Sequence, residues 1–266
     1  MTRPLCLALA LLLPALPAAA TTQDDVLAAS VLTGWQEADG SHMAALRLDL
    51  APGWKTYWRT PGEAGIPPQF DWSASENLKS VELHWPAPSV FETSGLRTLG
   101  YHDQLVLPVK VVAKDPSRPV TLAATVELGI CRDICLPATV SLSAVIRAPG
   151  AADPAIRAAL AAQPVSGAKA GLTAIACTVE PIKDGLRLTA TLALPPQGGE
   201  EVVAIETQDP RIWVSEAETR RKGATLTAVA EMVPPSGKPF ALDRSSVTVT
   251  VISGKGAVEV DGCPAP

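Results

Sequence analysis

The chemistry of this sequence is concentrated in one short run, Cys131-Arg132-Asp133-Ile134-Cys135. Two thiols four residues apart can form an inert clip across a turn, act as a redox pair, or supply half of a metal site. A three-residue spacer in a tight turn brings the Cα atoms within the roughly 4.4–6.8 Å that a disulfide requires. So small a loop restrains little chain entropy, and short, exposed disulfides are the labile ones. Exchange proceeds through a thiolate, so the surroundings must lower a thiol pKa from about 8.5. Arg132 acts in that direction and Asp133 against it. On spacing alone the inert clip and the redox pair stand level. A closed metal site wants about four ligands, and His42, His84 and His102 form no pair at ligand spacing. With three methionines, one of them the initiator, there is no Met-rich copper tract. Neither a metal nor another cofactor is expected.

Strands must position these thiols. Residues 120–130 put Val120, Leu122, Ala124, Val126, Leu128 and Ile130 on one parity and polar or small residues on the other, the period-two mark of a half-buried strand. Residues 139–147 repeat the pattern with Val140, Leu142, Ala144 and Ile146 inward. Extending both parities into the turn places Cys131 and Cys135 on the outward face, near the surface. Upstream, Ala44, Leu46, Leu48 and Leu50 alternate with Arg47 and Asp49, and residues 105–112 are β-rich. Pro108 inside that last run predicts an edge strand or a bulge.

Residues 149–164 change character. Asp153-Pro154 opens an Ala-rich stretch that reads as a short, Asp-capped, Pro-initiated helix. The β pattern then resumes at 172–179, 186–194, 201–207, 224–233, 246–252 and 257–260. The expected architecture is all-β: two β-sandwich domains, residues 21–148 and 171–266, joined by a short helical linker at 149–170. The 25 prolines and 19 glycines fit many short strands and turns rather than long helices.

The first twenty residues stand apart. Arg3, an apolar run at 5–13, the breaks at Pro14 and Pro17, and Ala18-Ala19-Ala20 predict a secretory signal peptide, residues 1–20. The run is too short for a transmembrane anchor, which needs roughly 20 apolar residues, and no stable membrane insertion is expected. Cys6 lies inside this leader. Four cysteines then remain in an exported, oxidising context, which favours pairing. Four allow three connectivities; proximity favours Cys131 with Cys135, leaving Cys177 with Cys263. That second bridge would close about 86 residues and stabilise by about 4 kcal/mol in the chain-entropy model, so it reads as a structural staple.

A formal charge of −5, without a Lys/Arg run, gives no footprint for nucleic acid. No Ser-His-Asp order, phosphate-cradling loop or paired-carboxylate motif supports hydrolase chemistry. Five of the six tryptophans fall between Trp35 and Trp85; sandwich packing explains them better than a ligand platform.

The segment 129–138, Gly-Ile-Cys-Arg-Asp-Ile-Cys-Leu-Pro-Ala, resembles the active-site strand pair of the N-terminal periplasmic domains of the DsbD/ScsB family of thiol:disulfide interchange proteins. Residues 53–62 (Gly-Trp-Lys-Thr-Tyr-Trp-Arg-Thr-Pro-Gly), 67–73 and 100–104 with 107–109 agree with it, in consistent order over about residues 30–147. The resemblance implies an immunoglobulin-like sandwich, a periplasmic location and a protein thiol-disulfide oxidoreductase of the disulfide reductase type. It implies that Cys135 forms the mixed disulfide and Cys131 resolves it. It also implies an aromatic cap at Phe91, with Tyr57 and Trp58 nearby and Arg132 and Asp133 in the site. The spacer is shorter than in DsbD, so local geometry and potential do not carry over. No transmembrane or thioredoxin-like part is evident. The implied partners, thioredoxin-like periplasmic proteins and a membrane electron carrier, are therefore expected on separate chains. Two rivals stand beside this reading: a redox-silent adaptor with a structural disulfide, and a copper-handling protein.

Overall fold

The period-two segments become strands in the computed structural model, which describes residues 22–93 and 95–266. The expected signal peptide lies outside them. A one-turn helix α1 (Gln23–Val26) leads into β1 (Leu27–Gln36), β2 (His42–Leu50), β3 (Lys55–Tyr57), β4 (Gln69–Asp71) and β5 (Leu78–Leu83). β6 (Ser89–Thr93), β7 (Leu96–His102), β8 (Gln104–Ala113), β9 (Val120–Cys131) and β10 (Cys135–Ile146) follow. They form two sheets, β1-β2-β8-β5 and β10-β9-β3-β7-β6, the second with β4 added on β9. Leu122, Ala124, Val126, Leu128 and Ile130 of β9 and Ala138, Val140 and Leu142 of β10 meet Ala44, Leu46 and Leu48 of β2 in one core. Trp54, Trp58 and Trp85 are buried in that core.

Pro108 does not mark an edge. β8 lies between β2 and β5, with Pro108 opposite Ala45. β5 has already ended at Leu83, opposite Val109. Past that point the His84 amide still donates to the Pro108 carbonyl at 2.9 Å, a bond that asks no donor of the imino nitrogen.

Helix α2 (Pro154–Ala161) starts as its sequence predicts, with the Asp153 carboxylate accepting from the Ala155 and Ile156 amides at 2.8 and 3.3 Å. It does more than link. Ile156 and Ala159 pack on Met43, Ala45 and Val106, so the first half of β2 is buried on both faces.

The second sandwich comprises β11 (Val165–Ser166), β12 (Ala174–Pro181), β13 (Leu186–Ala193), β14 (Glu201–Glu206), β15 (Trp213–Val214), β16 (Glu218–Lys222), β17 (Thr225–Val233), β18 (Thr248–Ser253) and β19 (Gly256–Asp261). Its sheets run β11-β19-β18-β14 and β12-β13-β17-β15, with β16 also on β17. β15 and β16 escaped the sequence pattern because one has two residues and the other reads Glu-Thr-Arg-Arg-Lys. The two faces of β14 part company. Val203 and Ile205 enter the second core, while Val202 and Ala204, with Ile252 and Ala257, join the core of the first sandwich. The resulting architecture is all-β, two immunoglobulin-like sandwiches sharing an apolar seam.

Candidate redox site

β9 and β10 form one long hairpin of two twelve-residue strands in unbroken register, from Ile146↔Val120 to Cys135↔Cys131. The two cysteines are thus directly opposed at its end, bonded to each other with Cα atoms 4.1 Å apart. The Arg132 amide closes the turn onto the Ile134 carbonyl at 3.0 Å.

The pair is asymmetric. Cys135 is exposed, but Cys131 is only 1% exposed, which corrects the expectation of two near-surface sulfurs. Parity did put Cys131 on the outer face; the neighbouring strand then covers it. β3 pairs with β9 through Lys55↔Cys131 and Thr56↔Ile130. Two residues on, Tyr57 shares that face, and its buried hydroxyl lies 2.9 Å from Cys131 Sγ and 3.6 Å from Cys135 Sγ. Burial raises the Tyr57 phenol above its ordinary pKa, so it remains a protonated donor.

Gly129 makes room for this ring. A Cβ there would meet Ile66 Cβ at 2.8 Å and Tyr57 Cε2 at 3.1 Å. A glycine inside an otherwise regular strand was the available sequence signal for such close approach. Thr56 Oγ1 ties the strands together by donating to the Gly129 carbonyl at 3.0 Å.

The other expected site residues are dispersed. Arg132 pairs with Asp133 at 2.9 Å, both exposed, and its guanidinium lies 5.5 Å from the Trp54 ring. The two opposed charges therefore largely satisfy each other. Phe91, on β6, has the Lys55 ammonium 4.9 Å from its ring centroid and the His102 ring at 6.0 Å. Lys55 and His102 are cross-strand partners, and Lys55 is also the partner of Cys131. The aromatic ring thus stands one side chain removed from the disulfide. Burial lowers the Lys55 pKa, and its ammonium donates to Thr98 Oγ1 at 3.2 Å. Trp58 turns the opposite way, fully buried beneath Arg59. Sequence reasoning passed over Lys55, Ile66 and Gly129, which together shape the sulfurs' surroundings.

Cys177 and Cys263 are bonded far from this turn, both buried in the second core, with Cα atoms 5.4 Å apart. Arg244 grips them: its side chain donates to the Cys177 carbonyl, and its own carbonyl accepts from the Cys263 amide at 2.9 Å. Among the described residues no cluster of three or more His, Cys, Asp or Glu side chains is gathered as a metal ion would need. No described helix is long and apolar enough to cross a membrane.

A family model described as thiol:disulfide interchange protein DsbD, N-terminal, matches residues 23–146. The crystal structure of the N-terminal periplasmic domain of ScsB from Proteus mirabilis superposes with a TM-score of 0.68 at 23% identity, covering 92% of this chain and 96% of that one. It shares the fold across both sandwiches. The reduced N-terminal domain of DsbD from Neisseria meningitidis aligns over 49% of this chain and 91% of its own, with a TM-score of 0.30 and 15% identity. A comparison with curated proteins yields no significant match. The opposed, bonded cysteines fall within the matched segment, and thiol–disulfide exchange is the chemistry that family and disulfide share. Residues 23–146 thus carry a domain of the DsbD N-terminal type, the segment that the family model matches.

Proposed function

We propose that this protein is a periplasmic thiol–disulfide exchange module that reduces disulfides in client proteins. The observation that carries the reading is the asymmetry of the pair: Cys135 is open to a partner while Cys131 waits beneath the Tyr57 hydroxyl. In the reduced protein the Cys135 thiolate attacks a client disulfide, forming a mixed disulfide and expelling one client thiolate. The Cys131 thiolate, held by Tyr57, then attacks Cys135 Sγ. The Cys131–Cys135 bond closes, the second client thiol leaves, and two electrons have passed to the client. A donor dithiol on a thioredoxin-like protein or a membrane electron carrier restores the reduced pair. Phe91, which stands behind Lys55 and not over the sulfurs, caps the dithiol only by swinging across it, and the Cys177–Cys263 bond staples the second sandwich.

Equilibration in glutathione or dithiothreitol buffers, followed at Cys131–Cys135, tests the proposal. A potential well above about −300 mV is expected, and one below it marks a structural clip instead. Cys131→Ser should accumulate mixed disulfides through Cys135, and Cys135→Ser should not. If neither variant traps a client, the adaptor reading replaces this one.

A further inference from the structure

Between the two sandwiches lies a cleft of about 510 Å³, lined on one side by six consecutive residues, 202–207. Most of them belong to β14, which ends its sheet and is paired only with β18. In an antiparallel ladder every second residue directs its N–H and C=O away from the partner strand. Among the described residues, no backbone hydrogen bond satisfies those groups of β14 on its free side. β16 approaches only the Glu201 end, where Arg221 pairs with Glu201 at 2.6 Å. The strand is nearly withdrawn from solvent, with Val203 2% and Ala204 7% exposed. Poorly hydrated, unpaired backbone groups gain most from a new partner strand. Protected natural edges carry charge or proline, whereas this one reads Val-Val-Ala-Ile.

The walls suit an extended apolar segment. Trp213 stands on the lip, 51% exposed, and an exposed indole beside an apolar cleft is a typical anchor for a partner. The rim specifies charge. Glu63, Glu200, Glu216 and Glu218 gather around Arg97, while the other cation lining the cleft, Arg59, is held by Glu206 and Glu259. Arg97 is already held by Glu216 at 2.6 Å and Glu200 at 3.3 Å. Among the described residues Glu63 and Glu218 form no salt bridge, and Glu218 acts only at longer range on Arg187, which is itself paired with Glu231. The cleft also shares a loop with the surroundings of the dithiol. Pro61, Gly62, Glu63, Gly65 and Pro67 line it, while Ile66 of the same loop packs over Gly129 beside Tyr57.

We propose that this cleft docks an extended, mainly apolar segment of a partner protein, added as a strand on β14, with a Lys or Arg of that segment against Glu63 and Glu218. The site needs no redox step, so it stands or falls separately from the exchange reaction. The shared loop lets one partner engage both places.

The test is fluorescence anisotropy of a labelled, acetylated Lys-Val-Thr-Val-Thr-Val amide titrated onto the oxidised full-length protein, in which the dithiol is closed. Saturable binding is expected, weakened at least about tenfold (about 1.4 kcal/mol) when the peptide lysine becomes glutamate or alternate amides are N-methylated. Trp213→Ser and the pair Glu63→Lys with Glu218→Lys should weaken it similarly. These side chains are exposed, and circular dichroism of each variant checks that it folds. No saturation up to about 1 mM, equal binding of the glutamate peptide, or unaltered binding by both variants overturns the proposal. So does peptide release on self-association, which would make a second copy of the chain the occupant.

Discussion

A phenol hydroxyl 2.9 Å from one sulfur and 3.6 Å from the other can serve either as it becomes a thiolate. Donation to the charged form favours it, and burial keeps the donor protonated. A hydrogen bond to a charged group is worth about 1.5–3 kcal/mol, roughly one to two pKa units. Tyr57→Phe should therefore raise the thiolate pKa of Cys131 in the reduced protein by about one unit and slow resolution of the mixed disulfide at pH 7. Thiolate absorbance against pH reads the first effect and single-turnover release of a client thiol the second. An unchanged titration would show that the hydroxyl does not hold the reduced sulfur. Arg132 offers no substitute, because its exposed pairing with Asp133 is the kind of contact worth little.

The elements around the dithiol divide into those legible in the sequence and those that were not. β9 announced itself because its inner face is fully buried while its outer face from Thr121 to Glu127 is only partly covered, which imprints a clean alternation on the residues. The same parity placed Cys131 correctly by face and wrongly by exposure. Its cover comes from Tyr57, 74 residues earlier, and no local pattern encodes so distant a lid. Gly129 was visible but unexplained until the ring beside it was seen. Gly129→Val should push Ile66 and Tyr57 off the strand, cost about 1–3 kcal/mol through overpacking, and lose the Tyr57 contact. Denaturant unfolding and the Cys131 titration together check this, since a purely structural role for Gly129 would move the first and leave the second.

β2 carries a further consequence. Burial lowers the pKa of His42 below its ordinary 6.5, against the opposing effects of the Thr33 carbonyl and Glu37. At pH values between the lowered folded pKa and 6.5, the unfolded chain binds more protons than the folded one. Stability is therefore fullest above pH 6.5 and declines as the pH falls through that window. Thermal midpoints at pH 7.5 and 5.5 should differ more for the natural protein than for His42→Gln, which keeps a donor for Thr33 but cannot titrate. Equal slopes would remove His42 from the account.

At the scale of the molecule, Arg59 decides whether the sandwiches behave as one body. It lies in the same short segment as Lys55, Tyr57 and Trp58, so a single stretch of chain reaches the sulfurs, the first core and the second domain. Its guanidinium bonds Glu206 at 2.8 and 2.9 Å and Glu259 at 2.5 Å, and Thr60 adds a bond to Glu206 at 2.6 Å. These partners are 147 and 200 residues away, which is why the sequence showed a linker and not a joint. Burial lowers the Arg59 pKa, but the two carboxylates more than offset it and keep the side chain charged. Removing it strands two carboxylates beside each other in a partly buried seam. Arg59→Ala should cost about 2 kcal/mol or more, below the full penalty of a wholly buried broken pair because the group retains some solvent. The loss should be larger at pH 8 than at pH 4.5, where protonation relieves the stranded carboxylates. With the joint weakened, calorimetry should resolve two unfolding transitions in place of one. Adding Glu206→Gln should recover part of the loss, as coupled neighbours do and independent sites do not. One unchanged transition in both variants would mean that the apolar seam of Val202, Ala204, Ile252 and Ala257 holds the domains together unaided.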